Sequence, residues 1–220
     1  MPSAISYHPA MSEAPELHVV PEAGAAPEAG AAPEAGAAAV DPAPLVLSAS
    51  LASGSRSRVL AHTAAELLAK RGITADTVDL ADLSLPLCDG ESAYGADGVS
   101  DLSDRVKRAG GILVATPIYN YDVNAALKNA IELTGRAWTG QVVGFLAAAG
   151  GSGSYMSLMG LANSLMLDFR CLIVPRFVYT TGEHYQGDEV GDLDIVDRID
   201  ELTQTVVSLS AALRSVGEAK

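Results

Sequence analysis

From Leu45 onward, short apolar runs alternate with longer segments in which apolar side chains recur at helical spacing. Uninterrupted apolar runs, such as residues 112–115, are typical of strands that are covered on both faces. Stripes such as Leu60, Ala64 and Leu68 are typical of helices that pack on a sheet. Five strands that alternate with helices predict a parallel, doubly wound sheet in a three-layer α/β/α arrangement.

Flanking residues set the predicted limits of each element. Strands are predicted at residues 45–47, 73–80, 112–115, 141–147 and 171–179. Helices are predicted from near Ser57 to Arg71, and at residues 101–109, 124–134, 155–168 and 193–213. The second strand is short and alternating, which favours a position near an edge of the sheet. Pro175 interrupts the last strand and favours an edge position or a bulge there.

Residues 1–44 differ in composition from the rest of the chain and are predicted to form a disordered tail, which leaves residues 45–220 as the folded domain. The hexapeptide PEAGAA occurs three times between Pro21 and Ala38 and offers no large side chain to bury. The stretch before these repeats has neither a basic region nor an apolar core, so we expect no secretory signal.

Charge and cysteine content narrow the class of partner. The formal net charge of −13 argues against nucleic acid or an anionic membrane as the main partner. No run reaches the roughly 18 apolar residues of a membrane span. Cys88 and Cys171 are far apart and form no CxxC motif, which predicts a reduced, cytoplasmic protein without a metal centre or a disulfide framework.

The first loop, residues 48–57, lies between the first strand and the first helix and is rich in hydroxyl groups. It contains Ser50, Ser55 and Ser57, with Arg56 and Arg58 beside them. The N–H groups of a helix's first turn point outward and carry partial positive charge, so they bind anions well. This composition is typical of a phosphate site. It also fits serines that merely cap the helix, and the loop alone leaves both interpretations open.

Two further loops follow later strands. The second loop, residues 116–122, holds a proline, two tyrosines and an asparagine, and the third loop, residues 148–154, is nearly all Gly, Ala and Ser. Because loops that follow parallel strands emerge at one edge, the three predict a site for a small molecule with a phosphate at one end and a flat polar ring at the other. The first loop lacks the lysine of a P-loop, and Gly151-Ser152-Gly153 lacks the third glycine of a dinucleotide motif.

Two segments resemble the NADPH-dependent FMN reductase family, which has a flavodoxin-like fold. SASLASGSRSRVLA is similar to the family's phosphate loop, and TPIYNYDVNAALKNAIEL is similar to its S-P-x-Y-N…L-K-N-A signature. The family's loop arginine falls on Ala52, so Arg56 or Arg58 must supply the positive charge. The resemblance implies bound FMN, with NADPH or NADH as hydride donor, and the following site residues. These are Ser50, Ser55 and Ser57 at the phosphate, Thr116, Pro117, Ile118, Tyr119 and Asn120 along the isoalloxazine, and Gly150, Gly151 and Ser152 at its other edge.

The resemblance implies an enzyme that passes a hydride from NAD(P)H to bound FMN and on to free flavin or a small acceptor such as a quinone, an azo dye or chromate. This chemistry needs no catalytic side chain, because the cofactor performs it. A flavodoxin-like electron carrier and an interaction module without a cofactor are the alternatives. Members of the family usually form homodimers or homotetramers. The stripe of Met156, Met159 and Met166 is either core or part of such a contact.

Overall fold

Residues 42–218 are described by a computed structural model, so the tail predicted for residues 1–44 lies outside the described residues except at its end. There the main-chain oxygens of Ala43 and Pro44 accept hydrogen bonds from the N–H groups of Gly110 and Asp76, each at 2.8 Å. The backbone is therefore joined to the rest of the fold immediately before the first strand.

Strands and helices alternate along the described chain. The strands are β1 (Leu45–Ser48), β2 (Asp76–Asp79), β3 (Ile112–Tyr119), β4 (Asp122–Val123), β5 (Val142–Ala148), β6 (Leu172–Ile173), β7 (Val178–Thr180), β8 (Tyr185–Gln186) and β9 (Glu189–Val190). The α-helices are α1 (Arg56–Lys70), α2 (Val99–Arg108), α3 (Ala125–Thr134), α4 (Met159–Phe169) and α5 (Leu193–Glu218). Short 3-10 helices occupy Leu80–Asp82, Ser92–Gly95, Gly135–Trp138, Ser152–Leu158 and Gly182–His184.

The central sheet has the order β2-β1-β3-β5, with β6 and β7 both paired to β5 on its far side, and all these pairs are parallel. This confirms the predicted doubly wound sheet and places β2 at an edge. The strand predicted over residues 171–179 is divided into β6 and β7 around Pro175, and Arg176 beside it has a φ of 62°. Proline lacks an N–H for the ladder, which explains the interruption.

Apolar side chains cover both faces of the sheet. Leu45 and Leu47 of β1 face one side, where α2, α3 and α4 pack, and Val46 faces the other side, where α1 and α5 pack. The predicted three-layer α/β/α arrangement is therefore confirmed. Gly144 of β5 lets α5 approach closely, because a Cβ atom there would lie 2.8 Å from Cγ2 of Val206.

The prediction of a loop over residues 116–122 is wrong for its first part. β3 continues to Tyr119, and β4 pairs with it in an antiparallel hairpin. The two residues of the turn, Asn120 and Tyr121, have φ values of 51° and 65°. Positive φ at both positions is the requirement of the type I′ hairpin turn, and its usual sequence is Asn-Gly. Tyrosine in the glycine position conceals this signal in the sequence.

The helix predicted over residues 155–168 begins as the 3-10 helix Ser152–Leu158 and continues as α4. The core interpretation of its methionines is wrong, since Met156, Met159 and Met166 are 52%, 42% and 40% exposed. Leu158, Leu161 and Leu165 face the core instead. Apolar residues line more than one side of this segment, so their spacing alone does not identify the buried stripe.

Candidate functional site

The carboxyl ends of the central strands meet at one edge of the sheet. Ser48 pairs with Ala115, Pro117 pairs with Ala148, and Ala148 pairs with Thr180. The first, second and third loops leave the sheet at this edge, as predicted, and a fourth segment, residues 181–184, joins them after β7. The structure therefore brings the residues predicted for one ligand to the same end of the molecule.

The serines of the first loop do not cap α1. Ser55 occupies the N-cap position, but its side chain makes no capping hydrogen bond among the described residues. Its hydroxyl is 2.8 Å from that of Ser57, which is fully buried. Ser50 is also buried, and its Oγ accepts the N–H of Ala52 at 3.2 Å. The capping-only interpretation is therefore wrong. Of the three serines predicted at the phosphate, Ser50 and Ser57 are buried and Ser55 is partly exposed.

The two arginines of α1 have different partners. Arg58 donates hydrogen bonds to Asp79 and to main-chain oxygens of the first loop. Burial alone would raise the pKa of Asp79, but hydrogen bonds from Arg58 and from the N–H of Ala81 bring that pKa below its ordinary value. Arg56 is exposed and has no carboxylate within salt-bridge distance in the described part of the chain. Arg56 is therefore the guanidinium available to an anion at this loop.

The side chain of Arg56 extends toward the fourth segment. Its Cζ lies 5.5 Å from the ring centroid of Tyr185, and its Nη1 would be 3.0 Å from a Cβ atom on Gly182. The hydroxyl of Tyr185 is 2.7 Å from Oγ1 of Thr180 and 3.3 Å from the main-chain oxygen of Arg56. Burial raises the pKa of Tyr185. Tyr185 therefore supports the start of α1.

The second loop contains a buried part and an exposed part. Thr116, Pro117 and Ile118 are buried within β3, whereas Tyr119 is 54% exposed and the turn that follows it is exposed as well. Tyr119 is therefore not a core residue, and its place along an isoalloxazine stays a prediction. Asn120 lies beside it in the hairpin turn. The hairpin thus carries the exposed part of the second loop at this edge.

Asn124 joins the first and second loops and was missed by the sequence reasoning. Its Nδ2 donates to the main-chain oxygen of Ala49 at 2.6 Å, and its Oδ1 accepts from Oγ1 of Thr116 at 3.2 Å. Asn124 occupies the N-cap position of α3, but its side chain does not cap that helix. An asparagine before a helix suggests a cap, so the local sequence favours the wrong partner.

A tyrosine of β7 hydrogen-bonds to the backbone of the third loop. The hydroxyl of Tyr179 donates to the main-chain oxygen of Gly151, and the rings of Tyr179 and Tyr155 meet edge to face at 5.6 Å. Gly150, Gly151 and Ser152 are exposed and present mainly backbone atoms. A flat ligand can approach this backbone closely, because among residues 42–218 no atom outside their chain neighbours lies within 4 Å of a Cβ placed on Gly150 or Gly151. Nothing in the local pattern of β7 identifies Tyr179 beforehand.

Two general features limit the chemistry of the described residues, 42–218. No group of three or more His, Cys, Asp or Glu side chains among them is arranged to hold a metal ion. None of their helices combines the length and apolar character needed to cross a membrane. The first loop presents backbone N–H groups, hydroxyls and the guanidinium of Arg56. The second and third loops present exposed backbone and tyrosine rings.

Comparison with known proteins agrees with this arrangement. The chain is 28% identical to an NAD(P)H-dependent FAD/FMN reductase of Geobacillus thermodenitrificans, over 64% of this chain and 77% of that protein. It is 30% identical to an NADPH:quinone oxidoreductase of Arabidopsis thaliana, over 76% and 92%. The structure superposes on the flavoenzyme NAD(P)H:(acceptor) oxidoreductase of Paracoccus denitrificans with a TM-score of 0.63, at 22% identity, over 76% of this chain and 96% of that one. That superposition confirms the flavodoxin-like fold.

The family assignment follows from the part of the chain that carries these loops. Residues 44–186 match the family described as NADPH-dependent FMN reductase. This range begins just before β1 and ends with β8, so it contains the first, second and third loops and the fourth segment. The chain therefore belongs to the NADPH-dependent FMN reductase family.

Proposed function

We propose that this chain holds FMN at the carboxyl edge of its sheet and uses NAD(P)H to reduce free flavin or a small acceptor such as a quinone. When bound, FMN supplies the chemistry, since it accepts a hydride from NAD(P)H and passes the electrons to the second compound. The observation that carries the proposal is the uncapped start of α1, with Ser55 and Arg56 beside it, at the same edge as two loops of accessible backbone.

The phosphate group would bind at the first loop. The N–H groups of the first turn of α1 and the hydroxyl of Ser55 are donors, and Arg56 supplies a full positive charge. Ser50 and Ser57 are buried, and their hydroxyl groups stabilise the conformation of the loop through hydrogen bonds with the N–H of Ala52 and the hydroxyl of Ser55. An aliphatic group placed here would leave these donors without a partner, and a neutral acceptor would leave the charge of Arg56 without a counter-charge, which favours an anion.

The flat ring would lie between the second and third loops. Tyr119 and Asn120 would border the ring on one side, and the exposed backbone of residues 150–152 would border it on the other. Thr116, Pro117 and Ile118 keep β3 rigid below the ring, because all three are buried and paired within the sheet. Backbone N–H groups at such an edge stabilise negative charge, so no catalytic acid or base is required of a side chain.

A homodimer is the proposed assembly. An apolar surface runs along the 3-10 helix and α4, and it consists of Tyr155, Met156, Met159, Met166 and Leu167, all between 40% and 76% exposed. Grouped apolar side chains of this kind on a folded protein mark contact surfaces. We further place the protein in the cytoplasm, since Cys88 and Cys171 are free.

The proposal is tested by purifying the full chain, recording its visible spectrum after addition of FMN, and titrating it with NADPH and with NADH in the absence of oxygen. Bleaching of the flavin bands, followed by turnover when a quinone is added, is the expected result. Bound FMN that neither NADPH nor NADH bleaches would favour an electron carrier, because a carrier has no site for the nicotinamide. A protein that neither binds FMN nor gains thermal stability from it would contradict the proposal, because a ligand of the native state must stabilise that state.

A further inference from the structure

The guanidinium of Arg58 holds the first loop by its carbonyl groups. Nη1 donates to the main-chain oxygens of Ala52 and Ser53, both at 2.7 Å, and Nη2 donates to the oxygen of Ser50 at 3.3 Å. Nε donates to the carboxylate of Asp79, the last residue of β2. One partly buried side chain therefore joins three peptide groups of the loop to the neighbouring strand.

These contacts fix the direction of the N–H groups in the loop. In a trans peptide, the C=O of one residue and the N–H of the next point in opposite directions. Because the oxygens of Ala52 and Ser53 are turned toward Arg58, the N–H groups of Ser53 and Gly54 are turned away from it. Successive N–H groups that face the same way form a concave site for anions.

The order of the strands shows which side these N–H groups face. β2 lies on one side of β1 and β3 lies on the other. Asp79 holds the guanidinium on the β2 side, so the N–H groups of Ser53 and Gly54 point away from it, and the second loop begins across β1 on the β3 side. That is the side on which the proposed ligand would lie.

We propose that Arg58 is a positioning residue for the FMN phosphate: it does not touch the anion, but it fixes the peptide groups whose N–H donors face it. The inference rests on the proposed function, because it takes FMN as the ligand of this edge. It also explains how the loop functions with Ala52 at the position where the family resemblance expects an arginine. In this chain a guanidinium enters from α1 and acts through the backbone.

A purely structural role for Arg58 predicts a different result. If the side chain only connects α1 to β2, its loss would weaken the whole fold and would affect every ligand of the edge alike. If it orients the N–H donors, its loss would affect the phosphate selectively. FMN and riboflavin differ only in that phosphate, so the ratio of their affinities separates the two roles.

The experiment compares Arg58→Lys and Arg58→Ala with wild type in the full chain. Arg71→Ala is the matched control, since Arg71 also pairs with a carboxylate, donating two hydrogen bonds to Asp200, but lies at the other end of α1. Dissociation constants for FMN and riboflavin are measured by quenching of flavin fluorescence. Amide hydrogen exchange of residues 51–54 is followed without ligand.

Arg58→Ala is expected to weaken FMN binding by about tenfold or more, because hydrogen bonds to charged groups are worth this much, while riboflavin changes by less than about twofold. Arg58→Lys should give a smaller loss of the same selectivity, since lysine offers a point charge in place of a fork. Amide exchange in residues 51–54 should be faster in both variants. Arg71→Ala should change neither affinity.

The inference is overturned if a folded variant loses the same affinity for FMN and for riboflavin, or loses affinity for neither. The proposed function would remain intact in both cases. Arg58→Lys provides this measurement where Arg58→Ala does not fold. Failure of wild type to bind FMN would overturn the proposed function, and the inference with it. The two failures are therefore distinguishable.

Discussion

The side-chain amide of Asn124 donates a hydrogen bond to the main-chain oxygen of Ala49 at 2.6 Å, across 75 residues of sequence. Ala49 immediately follows β1, and Asn124 immediately follows the hairpin of β3 and β4. The same side chain accepts a hydrogen bond from Thr116, so one buried residue sets the spacing between the first and second loops. This spacing decides whether one ligand can contact both loops.

Replacing Asn124 by Ala is expected to lower the free energy of unfolding by about 1–3 kcal/mol, because the buried oxygen of Ala49 loses its side-chain donor. FMN affinity should fall as well, since the two loops lose their common connection. Urea denaturation and flavin fluorescence measure the two effects. Asn163→Ala is the control, as Asn163 is exposed on α4. Equal stability of the two variants would contradict the role assigned to Asn124.

Arg56→Gln is expected to weaken FMN binding by about threefold to tenfold, because a charge-assisted contact with the phosphate is lost. Riboflavin binding should not change. The affinity of the variant should also depend less on salt, since one fewer exposed charge interacts with the anion. Lys70→Gln removes a charge from the opposite end of α1 and serves as the control. The assignment fails if Lys70→Gln and Arg56→Gln have the same effect on FMN affinity.

The Arg58–Asp79 pair predicts a specific dependence of stability on pH. Burial acts to raise the pKa of Asp79, yet the hydrogen bonds from Arg58 and from Ala81 leave this pKa below its ordinary value. Because the pKa of Asp79 is lower in the folded state than in the unfolded state, its ionised carboxylate stabilises the fold at pH values above about 4, the ordinary carboxyl pKa. This stabilisation is lost as the pH falls through the folded-state pKa. Asp79→Asn should therefore be less stable than wild type at neutral pH.

The difference between Asp79→Asn and wild type should become smaller as the pH falls below about 4, because wild type then loses the same interaction. Thermal unfolding at a series of pH values provides the comparison. Asp188→Asn removes an exposed carboxylate between β8 and β9 and controls for net charge. A difference that stays constant down to the lowest pH would show that the charge of Asp79 does not contribute.

Much of the fold could be predicted from local pattern. The uninterrupted apolar runs of β1, β3 and β5 identify these strands in the sequence, and the ends of the strands locate the three loops. The hairpin after β3 could not be predicted, because Tyr121 occupies a left-handed position that usually requires glycine. Here the pairing of β3 with β4 outweighs the local preference of the turn residue.

Other parts of the site could not be predicted from the sequence, because they depend on contacts between residues that are far apart in the chain. Arg56 and Arg58 are indistinguishable in the sequence as phosphate ligands, and only the position of Asp79, 21 residues beyond Arg58, separates them. The contact between Tyr179 and Gly151 is of the same kind, since it joins β7 to the third loop across 28 residues. Such contacts are set by the order of strands in the sheet, which local periodicity does not encode.

Leu167→Asp is expected to convert the proposed homodimer into a monomer, because it places a charge within the proposed apolar contact. Leu193→Asp is the matched control, since Leu193 is 75% exposed and Leu167 is 76% exposed, but Leu193 begins α5 and lies outside the apolar surface of Tyr155, Met156, Met159, Met166 and Leu167. Analytical ultracentrifugation over a range of concentrations measures the association. Leu193→Asp should stay dimeric like wild type, and both variants should fold, as neither side chain is in the core. If Leu167→Asp remains dimeric, a different surface forms the contact.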